Sequence, residues 1–355
     1  MALAQQPIGT RLPTAAAGPH TDRRHTVMRS SSKRVFWIAI LWLSLSNAAF
    51  AWSASGHHAV GVIAYQMMDA GQRDAVIEIL RSHPQFAQHF GPPRGVTDPE
   101  SIARWQIGIA GCWPDMIRDT DWDRPRWHYQ NEASVVIGNV PTPGPTAPLP
   151  PRSTMDDTDL YLSQATELCV ERFRNVSLPD SERAVAMCWI LHLFADGHQP
   201  CHAGSLYSAA FPRGDRGANR IELTDGSNLH AAWDRLLGGY PSPNDVRQLV
   251  TGMGDIRGRM ENEFRLGGGG QWLRPQTWIA ESMSIARSHL YTDEVTGPVI
   301  AASRGLTPTV PPIRLSADYY LAAGQVARHR VQQAGYRAGA VIARCLHSPT
   351  STPQR

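Results

Sequence analysis

One stretch constrains the fold more than any other, residues 189–202, with the sequence W-I-L-H-L-F-A-D-G-H-Q-P-C-H. Its first part is mostly apolar, which is typical of a buried helix, yet His192 and Asp196 are four residues apart and project from the same helical face. Gly197 predicts that the helix breaks, and His202 follows the turn. The chain must therefore fold around a buried helix that carries polar side chains on one face.

A second pair of the same kind lies in the segment N-L-H-A-A-W-D, where His230 and Asp234 are again four residues apart. A single pair of this spacing is typical of an ion pair on a helix surface. Neutral imidazole and carboxylate are also ordinary zinc ligands. Two pairs on apolar helices, with His202 between them, favour a metal site over two unrelated ion pairs.

Other segments also combine metal-ligand residue types with bulky neighbours. His57 follows W-S-A-S-G, Asp115 and Arg118 lie one helical turn apart in W-P-D-M-I-R, and His128 stands between Trp and Tyr. A lone histidine between aromatic residues is more often a packed core residue. The repetition of the pattern along the chain favours a metal centre built from distant segments.

The first 51 residues have the pattern of an export leader. A basic stretch, R-S-S-S-K-R, precedes an apolar run, and A-F-A then supplies a small-x-small cleavage site that ends at Ala51. The apolar run is too short for a comfortable membrane span. We therefore expect translation to start at Met28, residues 1–51 to be removed, and the mature chain, residues 52–355, to be exported to the periplasm or the medium.

Removal of the leader changes what the charge implies. The complete chain has 34 Lys and Arg against 31 Asp and Glu, whereas residues 52–355 have 28 against 30, a net charge of −2. The basic pI therefore belongs to the leader and carries no information about nucleic-acid affinity. Lys33 is the only lysine, so a phosphate-binding cation in the mature chain must be an arginine, a metal ion or a backbone dipole.

The five cysteines all lie in the mature chain, and they match no zinc-knuckle or redox motif. An oxidising compartment permits disulfide bonds, but the number is odd and the sequence does not determine a pairing. Cys201 lies next to His202, where it could be a ligand, although a structural or disulfide role is favoured.

Helical periodicity dominates residues 52–355 and predicts one all-α domain. The predicted helices are 58–82, 97–119, 157–175, 181–196, 229–238, 245–265, 275–291 and 316–346. The best strand candidate is Arg220 to Leu223. A Pro-rich segment at 140–151 and four consecutive glycines within 266–270 predict loops, and neither separates a piece with its own core.

Taken in order, these segments resemble the S1/P1 nuclease family. The resemblance runs from residue 52 to 234 through an N-terminal W, G-H, W-x-D-x-I-R, W-H-Y, H-x-x-x-D-x-H-Q-P-x-H and N-L-H-x-x-W-D. Two later segments, W-I-A-E-S at 278–282 and A-G-Y-R at 334–337, are similar to the family's C-terminal helices, more weakly. The resemblance implies a secreted, mainly helical phosphodiesterase with three zinc ions.

The resemblance implies nine zinc ligands in three sites. Site by site, they are Asp115, His128, His192 and Asp196; the α-amino nitrogen and carbonyl oxygen of Trp52 with His57 and the shared, bridging Asp196; and His202, His230 and Asp234. In that family, a water that bridges the first two zinc ions would have a pKa near neutrality, against about 15.7 for bulk water, and would attack phosphorus in line. The expected products carry 5′-phosphates.

Four further positions correspond to substrate or catalytic residues of the family. Arg118 would contact the phosphate; the alternative role for this residue is a surface salt bridge. Tyr129 would stack on a base; the alternative role for this residue is core packing. Asn219 matches a G-G-N segment in which one glycine is replaced. Asn131 stands where fungal members have an acid, and an amide can orient a water but cannot accept its proton. The pH profile and substrate preference therefore stay open.

The resemblance implies an endonuclease that cleaves single-stranded DNA or RNA and also acts as a 3′-nucleotidase. Two alternatives stay open: a zinc-dependent phospholipase C, which shares the fold and the three-zinc arrangement, and a non-catalytic exported zinc-binding protein. Asp234 argues against the first, since the phospholipases have Glu at that position, and the dispersed ligands argue against the second. No stable protein partner is inferred.

Overall fold

The computed structural model describes residues 52–130, 132–239, 241–265 and 270–347. The predicted leader and Asn131 lie outside these ranges, as does the segment 266–269 within the predicted glycine loop. Within the described residues the protein is mainly helical, with one two-stranded sheet, so the predicted helical class is confirmed.

The described residues form thirteen α-helices and two strands. In chain order they are α1 (Ala54–Met67), α2 (Ala70–Arg81), α3 (Phe86–His89), α4 (Pro99–Met116), β1 (Glu132–Ile137), α5 (Leu162–Arg174), α6 (Asp180–His198), α7 (Pro200–Ala203), β2 (Gly204–Ser208), α8 (Leu229–Asp234), α9 (Pro243–Thr251), α10 (Ile256–Arg265), α11 (Pro275–Ile285), α12 (Asp293–Ser303) and α13 (Ala317–Leu346). Short 3₁₀ segments follow α8 and precede α11, and one π turn, Ala286–Leu290, follows α11.

Helix α6 is the central element of the fold. Every residue from 183 to 198 is buried, on all sides of the helix, because α1, α4, α5 and α13 pack around it. A helix that is apolar on all sides belongs in the interior of a protein or in a bilayer. Among the described residues, no helix combines the length and apolarity needed to cross a membrane, and α6 is covered by protein instead.

Helix α1 is held close to its neighbours through glycines. A Cβ atom added to Gly61 would lie 2.5 Å from the carbonyl oxygen of Ile107 in α4, and one added to Gly339 in α13 would lie 2.7 Å from that of Ala64. Both distances are shorter than side-chain carbons tolerate, so only glycine permits the approach. The packing fixes α1, which carries His57, against α4, which carries Asp115.

The small sheet joins two other segments that carry candidate ligands. Strands β1 and β2 pair in parallel, with Glu132 opposite Gly204 and Ile137 opposite Ser208. Strand β1 begins four residues after His128, and β2 directly follows the helix that contains His202. The amide of Gln130 also donates to the carbonyl of His202 over 2.7 Å, which fixes the two segments side by side.

Several predicted helices are shorter than the sequence pattern suggested. The helix predicted at 58–82 is interrupted at Met68, and Asp69 begins α2 with a capping box to Gln72. The helix predicted at 245–265 is two helices, because a turn containing two glycines separates α9 from α10. The helix predicted from 157 begins only at Leu162.

The helix break predicted at Gly197 is wrong. Helix α6 continues through Gly197 to His198, and Gln199, before Pro200, ends it. The glycine is explained by packing, because an added Cβ atom would lie 1.9 Å from Cζ3 of Trp278. The indole occupies the space that a side chain would need.

Two further features differ from the sequence prediction. The strand predicted at Arg220 to Leu223 forms only isolated bridges, Glu222 to Asn228 and Leu223 to Ile313, because its apolar residues are buried in a loop. Helix α12 was not predicted, since it contains the breaker pair Gly-Pro at 297–298. Burial of residues on one helical face outweighs that local preference.

All five cysteines are buried free thiols, so the expectation of a disulfide bond is wrong for this structure. They lie on separate core elements, Cys112 on α4 and Cys345 on α13 among them. Burial raises the pKa of Cys201, and the carboxylate of Asp234 adds to the effect. This thiol therefore stays protonated and packs as a small apolar group.

Candidate metal centre

The first group of candidate ligands converges on Asp196 in the interior. Its Oδ2 atom lies 3.0 Å from Nδ1 of His128 and 3.2 Å from Nε2 of His192. Its Oδ1 atom lies on the other side, 3.3 Å from Nε2 of His57. One carboxylate thus presents one oxygen to two imidazoles and its other oxygen to a third, which is the arrangement that a bridging ligand requires.

Asp115 closes the same group from the last turn of α4. Its carboxylate oxygens lie 3.8 Å from Nε2 of His57, 3.9 Å from Nδ1 of His128 and 3.8 Å from Nε2 of His192. These separations exceed hydrogen-bond length, so Asp115 faces the histidines without bonding to them. The residues His57, Asp115, His128, His192 and Asp196, predicted from four distant segments, therefore meet at one point.

The third predicted ligand set also comes together. Nε2 of His202 lies 3.0 Å from Nε2 of His230, and that atom of His230 lies 3.6 Å from Oδ2 of Asp234. All three side chains are buried. The side-chain amide of Gln199 donates to Oδ1 of Asp234 over 2.8 Å, which leaves Oδ2 directed at the histidines.

Backbone carbonyls fix the orientation of three histidine rings. Nδ1 of His192 lies 2.8 Å from the carbonyl of Gly111, and Nδ1 of His230 lies 2.6 Å from that of Gly217. Nδ1 of His202 contacts the carbonyl of His128 in the same way. A carbonyl can only accept, so each Nδ1 carries the proton and each Nε2 presents a lone pair to the site. This pattern is usual for metal-binding histidines.

Burial favours the neutral forms of the side chains at this centre. Burial lowers the pKa of His128 and His202 well below the ordinary value, and it lowers that of His230 to about 4. Burial also raises the pKa of Asp196 well above its ordinary value, although the charge of Arg118 opposes this. The imidazoles are therefore neutral and available as ligands, and a bound cation would favour the ionised form of Asp196.

The donor sets fit metal ions. Three groups of side chains each bring their potential ligand atoms within 4.8 Å of one another, and the first consists of His57, His192 and Asp196. The members of the other two groups are Asp115, His128 and His192, and His202, His230 and Asp234. Buried polar atoms without a hydrogen-bond partner include Nε2 of His128 and Oδ1 of Asp196. Imidazole nitrogen and carboxylate oxygen together suit zinc and other first-row metals.

The two predicted substrate residues nearest this centre are partly accessible. Arg118 bonds to Oδ1 of Asp115 over 2.9 Å and lies 3.5 Å from Asp123, and its side chain is 20% exposed. Tyr129 directly follows His128 and is 40% exposed, with Tyr161 packed edge-on at 6.1 Å. The core-packing alternative for Tyr129 therefore does not hold. Arg118 does form a salt bridge, as its alternative role predicts, but its partner is Asp115, a candidate metal ligand.

Of the other predicted site residues, Asn131 lies outside the described ranges, and Asn219 and Trp52 lie beside the third ligand set. Nδ2 of Asn219 is 2.9 Å from Nδ1 of His230, so this amide contacts a candidate ligand. Trp52 is fully buried, and the amide of Ser53 donates to the carbonyl of Asp234 over 2.8 Å. The chain at residue 52 is therefore anchored next to the candidate metal centre.

Some functional contacts were missed by sequence reasoning. Gln199, which holds Asp234, lies inside the H-Q-P-x-H motif and could have been found there. The carbonyls of Gly111 and Gly217 carry no residue-type signal. A Cβ atom at Gly217 would lie 2.0 Å from the carbonyl of Cys201, so this glycine, at φ 58°, permits a close approach as well as an unusual backbone conformation.

Fold and site together define a mainly helical protein with a buried centre of His and Asp side chains fit for several metal ions. Comparison with known proteins agrees, since the S1/P1 nuclease family model matches residues 52–347. The chain belongs to the S1/P1 nuclease family. It is therefore a nuclease, a hydrolase that acts on nucleic acid, in a metal-dependent family whose members are typically secreted.

Curated relatives agree with the family over nearly the whole chain. Endonuclease 1 of Arabidopsis thaliana is 23% identical over 336 residues, which cover 90% of this chain and 95% of the relative. Endonuclease 4 of the same plant is 22% identical over 340 residues, covering 90% and 97%, respectively. Endonuclease 5 is 21% identical over 337 residues, covering 88% and 96%.

Proposed function

We propose that this protein is an exported, zinc-dependent endonuclease that cleaves single-stranded DNA and RNA to 5′-phosphate products and also removes phosphate from 3′-nucleotides. The observation that carries the proposal is the meeting of eight His and Asp side chains around Asp196 and His230, in groups that suit three metal ions. The names of the plant endonucleases support cleavage within the strand.

The proposed ligands follow the three groups. Asp115, His128, His192 and Asp196 would hold one zinc ion; the Trp52 terminus, His57 and the bridging Asp196 a second; and His202, His230 and Asp234 a third. When bound, zinc supplies Lewis-acid polarisation of a phosphoryl oxygen and lowers the pKa of a coordinated water toward about 7. Three dications and three aspartates leave a positive cavity, which a phosphodiester requires in a chain whose mature part has no lysine.

The chain's own residues would bind and orient the substrate. Arg118 lies against Asp115, so its planar guanidinium can exchange that partner for two phosphate oxygens at the same centre. Tyr129 offers an exposed ring one residue from His128, on which a base can stack. Stacking on one face needs an unpaired base, which favours single-stranded substrates. Gln199 would orient Asp234, Asn219 beside His230 would contact the substrate, and Asn131 would orient the attacking water.

The zinc-dependent phospholipase C alternative is less well supported. An exposed tyrosine beside the metal centre suits a base, and the third set ends in Asp234 rather than in the glutamate of the phospholipases. A non-catalytic zinc-binding protein would have no need for Arg118 with its guanidinium within reach of the centre.

The experiment that tests the function compares substrates on one preparation. Chain beginning at Trp52 and loaded with zinc is assayed on single-stranded DNA, its duplex, RNA, a 3′-nucleotide and phosphatidylcholine. We expect cleavage of both single strands and of the 3′-nucleotide, slower cleavage of the duplex, and no lipid hydrolysis. Hydrolysis of the lipid with intact nucleic acids would instead establish the phospholipase.

The proposed role of Trp52 has its own test. Its α-amine can bind metal only when it is free, so a chain that retains Ala51 should bind about one zinc ion fewer and be nearly inactive. The buried indole should keep its place, and the melting temperature should fall only modestly. Equal zinc content and equal activity in the two forms would mean that the N-terminus is not a ligand.

A further inference from the structure

Two arginines are buried in the core behind the metal centre. Arg330 is 1% exposed and Arg337 is fully buried, and both lie on α13. Both form ion pairs with Glu281 of α11, at 2.8 Å from Arg330 and at 2.8 and 2.7 Å from Arg337, and Glu263 adds a weaker, more distant attraction. Removing two cations from water is unfavourable, and apolar residues of similar size are often as stable as a buried ion pair. Pairing with Glu281 alone therefore does not account for the cluster.

One donor of each arginine reaches the C-terminal turn of α6, while others of Arg330 bond to Gln333 and to the carbonyl of Trp278. Nε of Arg330 donates to the carbonyl of His198 over 3.3 Å, and a guanidinium nitrogen of Arg337 lies 2.7 Å from Nε2 of the same residue. The hydroxyl of Ser282 donates to the carbonyl of Gly197 over 2.7 Å and accepts from Arg330 over 2.6 Å. Helix C-termini leave carbonyls without helical partners, and cations stabilise them there.

The ring of His198 is fixed as a consequence. Its Nδ1 atom lies 2.7 Å from the carbonyl of Phe194 and therefore carries the proton, so Nε2 accepts from Arg337. The indole of Trp278 stacks on this ring, with centroids 5.2 Å apart and planes 23° from parallel. His198 is thus neutral, buried and held on three sides, although it is not a candidate metal ligand.

This turn connects two of the candidate metal groups. Asp196 lies two residues before His198, and its carbonyl accepts from the amide of Gln199 over 2.9 Å. Gln199 holds Asp234, and His202 follows three residues later. A shift of the turn would therefore move ligands of both groups at once.

We propose that Arg330, Arg337 and Glu281 are positioning residues for the metal centre, which hold the C-terminal turn of α6 so that Asp196 presents one oxygen to each of two metal ions. The proposal rests on the proposed function, because it assigns these residues to the same centre. It also gives a role to the W-I-A-E-S and A-G-Y-R segments, whose Trp278, Glu281, Ser282 and Arg337 all belong to this network.

The test measures zinc affinity rather than activity alone. Arg337→Met removes the charge and the hydrogen bonds but keeps an unbranched side chain. Its matched control is Arg183→Met, at the opposite end of α6, since Arg183 is also buried and bonds to the carbonyl of Phe173 and to Asp180. Zinc retained per chain is followed over a series of chelator concentrations, and each variant is melted in parallel.

We expect Arg337→Met to lose zinc at about 10- to 100-fold lower chelator concentration than wild type, the range found when residues behind metal ligands are removed. Arg183→Met should lower the melting temperature but retain zinc as wild type does. With zinc saturating, the KM of Arg337→Met on single-stranded DNA should be unchanged, because the network does not touch substrate. Wild-type zinc retention by Arg337→Met, or equal zinc loss in both variants at the same melting temperature, would overturn the proposal.

Ser282→Ala keeps the test decisive if Arg337→Met does not fold. It removes only the hydroxyl that donates to Gly197, and we expect a measurable loss of zinc affinity that is smaller than in Arg337→Met. Zinc retention equal to wild type in Ser282→Ala would contradict the positioning role. Failure of the proposed function would look different, since wild type itself would then bind no zinc or leave single strands intact.

Discussion

Gly197→Ala is the substitution whose effect the structure determines most sharply. On helical propensity alone, alanine should stabilise α6 by about 1 kcal/mol. The added Cβ atom, however, would lie 1.9 Å from Cζ3 and 2.7 Å from Cε3 of Trp278. The indole is fully buried, stacks on His198 and packs at a tilt against Phe194, so a shift of the ring would disturb both contacts.

Overpacking of this kind costs about 1–3 kcal/mol. We expect the upper end because a ring must move by more than 1 Å, and the net effect is then a loss of about 2 kcal/mol after the propensity gain. For a domain of this size that corresponds to a fall of roughly 4 °C in Tm. The same shift displaces Asp196, so zinc affinity should fall with stability.

Urea unfolding of the metal-free protein measures the first effect, and the zinc content of the folded protein measures the second. Gly324→Ala is the matched control, since Gly324 lies within α13 and an added Cβ atom would meet nothing within 4 Å. It should stabilise the protein by about 0.5–1 kcal/mol. If Gly197→Ala stabilised the protein as Gly324→Ala does, the packing argument would be refuted.

Three further substitutions test other parts of the account. Asp196→Asn keeps the shape of the side chain but removes its negative charge, so metal analysis should find more than one zinc ion lost per chain, and assays should find essentially no turnover. Three zinc ions per chain with activity within about tenfold of wild type would exclude a bridging role for Asp196. Tyr129→Ala should raise KM on single strands by the loss of roughly 1–3 kcal/mol of stacking per base, with zinc content and Tm unchanged. Burial lowers the pKa of His83 to about 4, so the folded state favours the neutral ring. Because the unfolded state binds the proton more readily, the free energy of unfolding should fall by up to about 3 kcal/mol as pH falls from about 6.5 to 4. His83→Phe should flatten that part of the stability profile in unfolding experiments, and an unchanged slope would contradict the assignment.

The ligand pairs were predictable from sequence because helix geometry is local. His192 with Asp196 and His230 with Asp234 lie four residues apart, and that spacing alone puts each pair on one face. The convergence of the two pairs with Asp115 from α4 depends on how helices pack, which spacing does not contain. The family resemblance supplied that part of the prediction, and the structure brings the eight predicted His and Asp side chains together, while their role as ligands stays a proposal.

The errors came from residues whose role depends on distant contacts. Gly197 has the local signature of a helix break, but its reason is an indole 81 residues later in the chain. The pair at 297–298 has the signature of a loop, yet burial of its neighbours keeps α12 helical. Backbone carbonyls that orient His192 and His230 are invisible to any argument from residue types.

We propose that the buried His and Asp centre binds zinc and that this metal is required to cut single-stranded nucleic acid. The most direct measurement strips the chain that begins at Trp52 of metal and follows cleavage of single-stranded DNA during stepwise addition of zinc. We expect no cleavage by the stripped protein and full activity at three zinc ions per chain, with 5′-phosphates on the products. Undiminished cleavage by the stripped protein, or zinc binding at this centre with the DNA left intact, would contradict the claim.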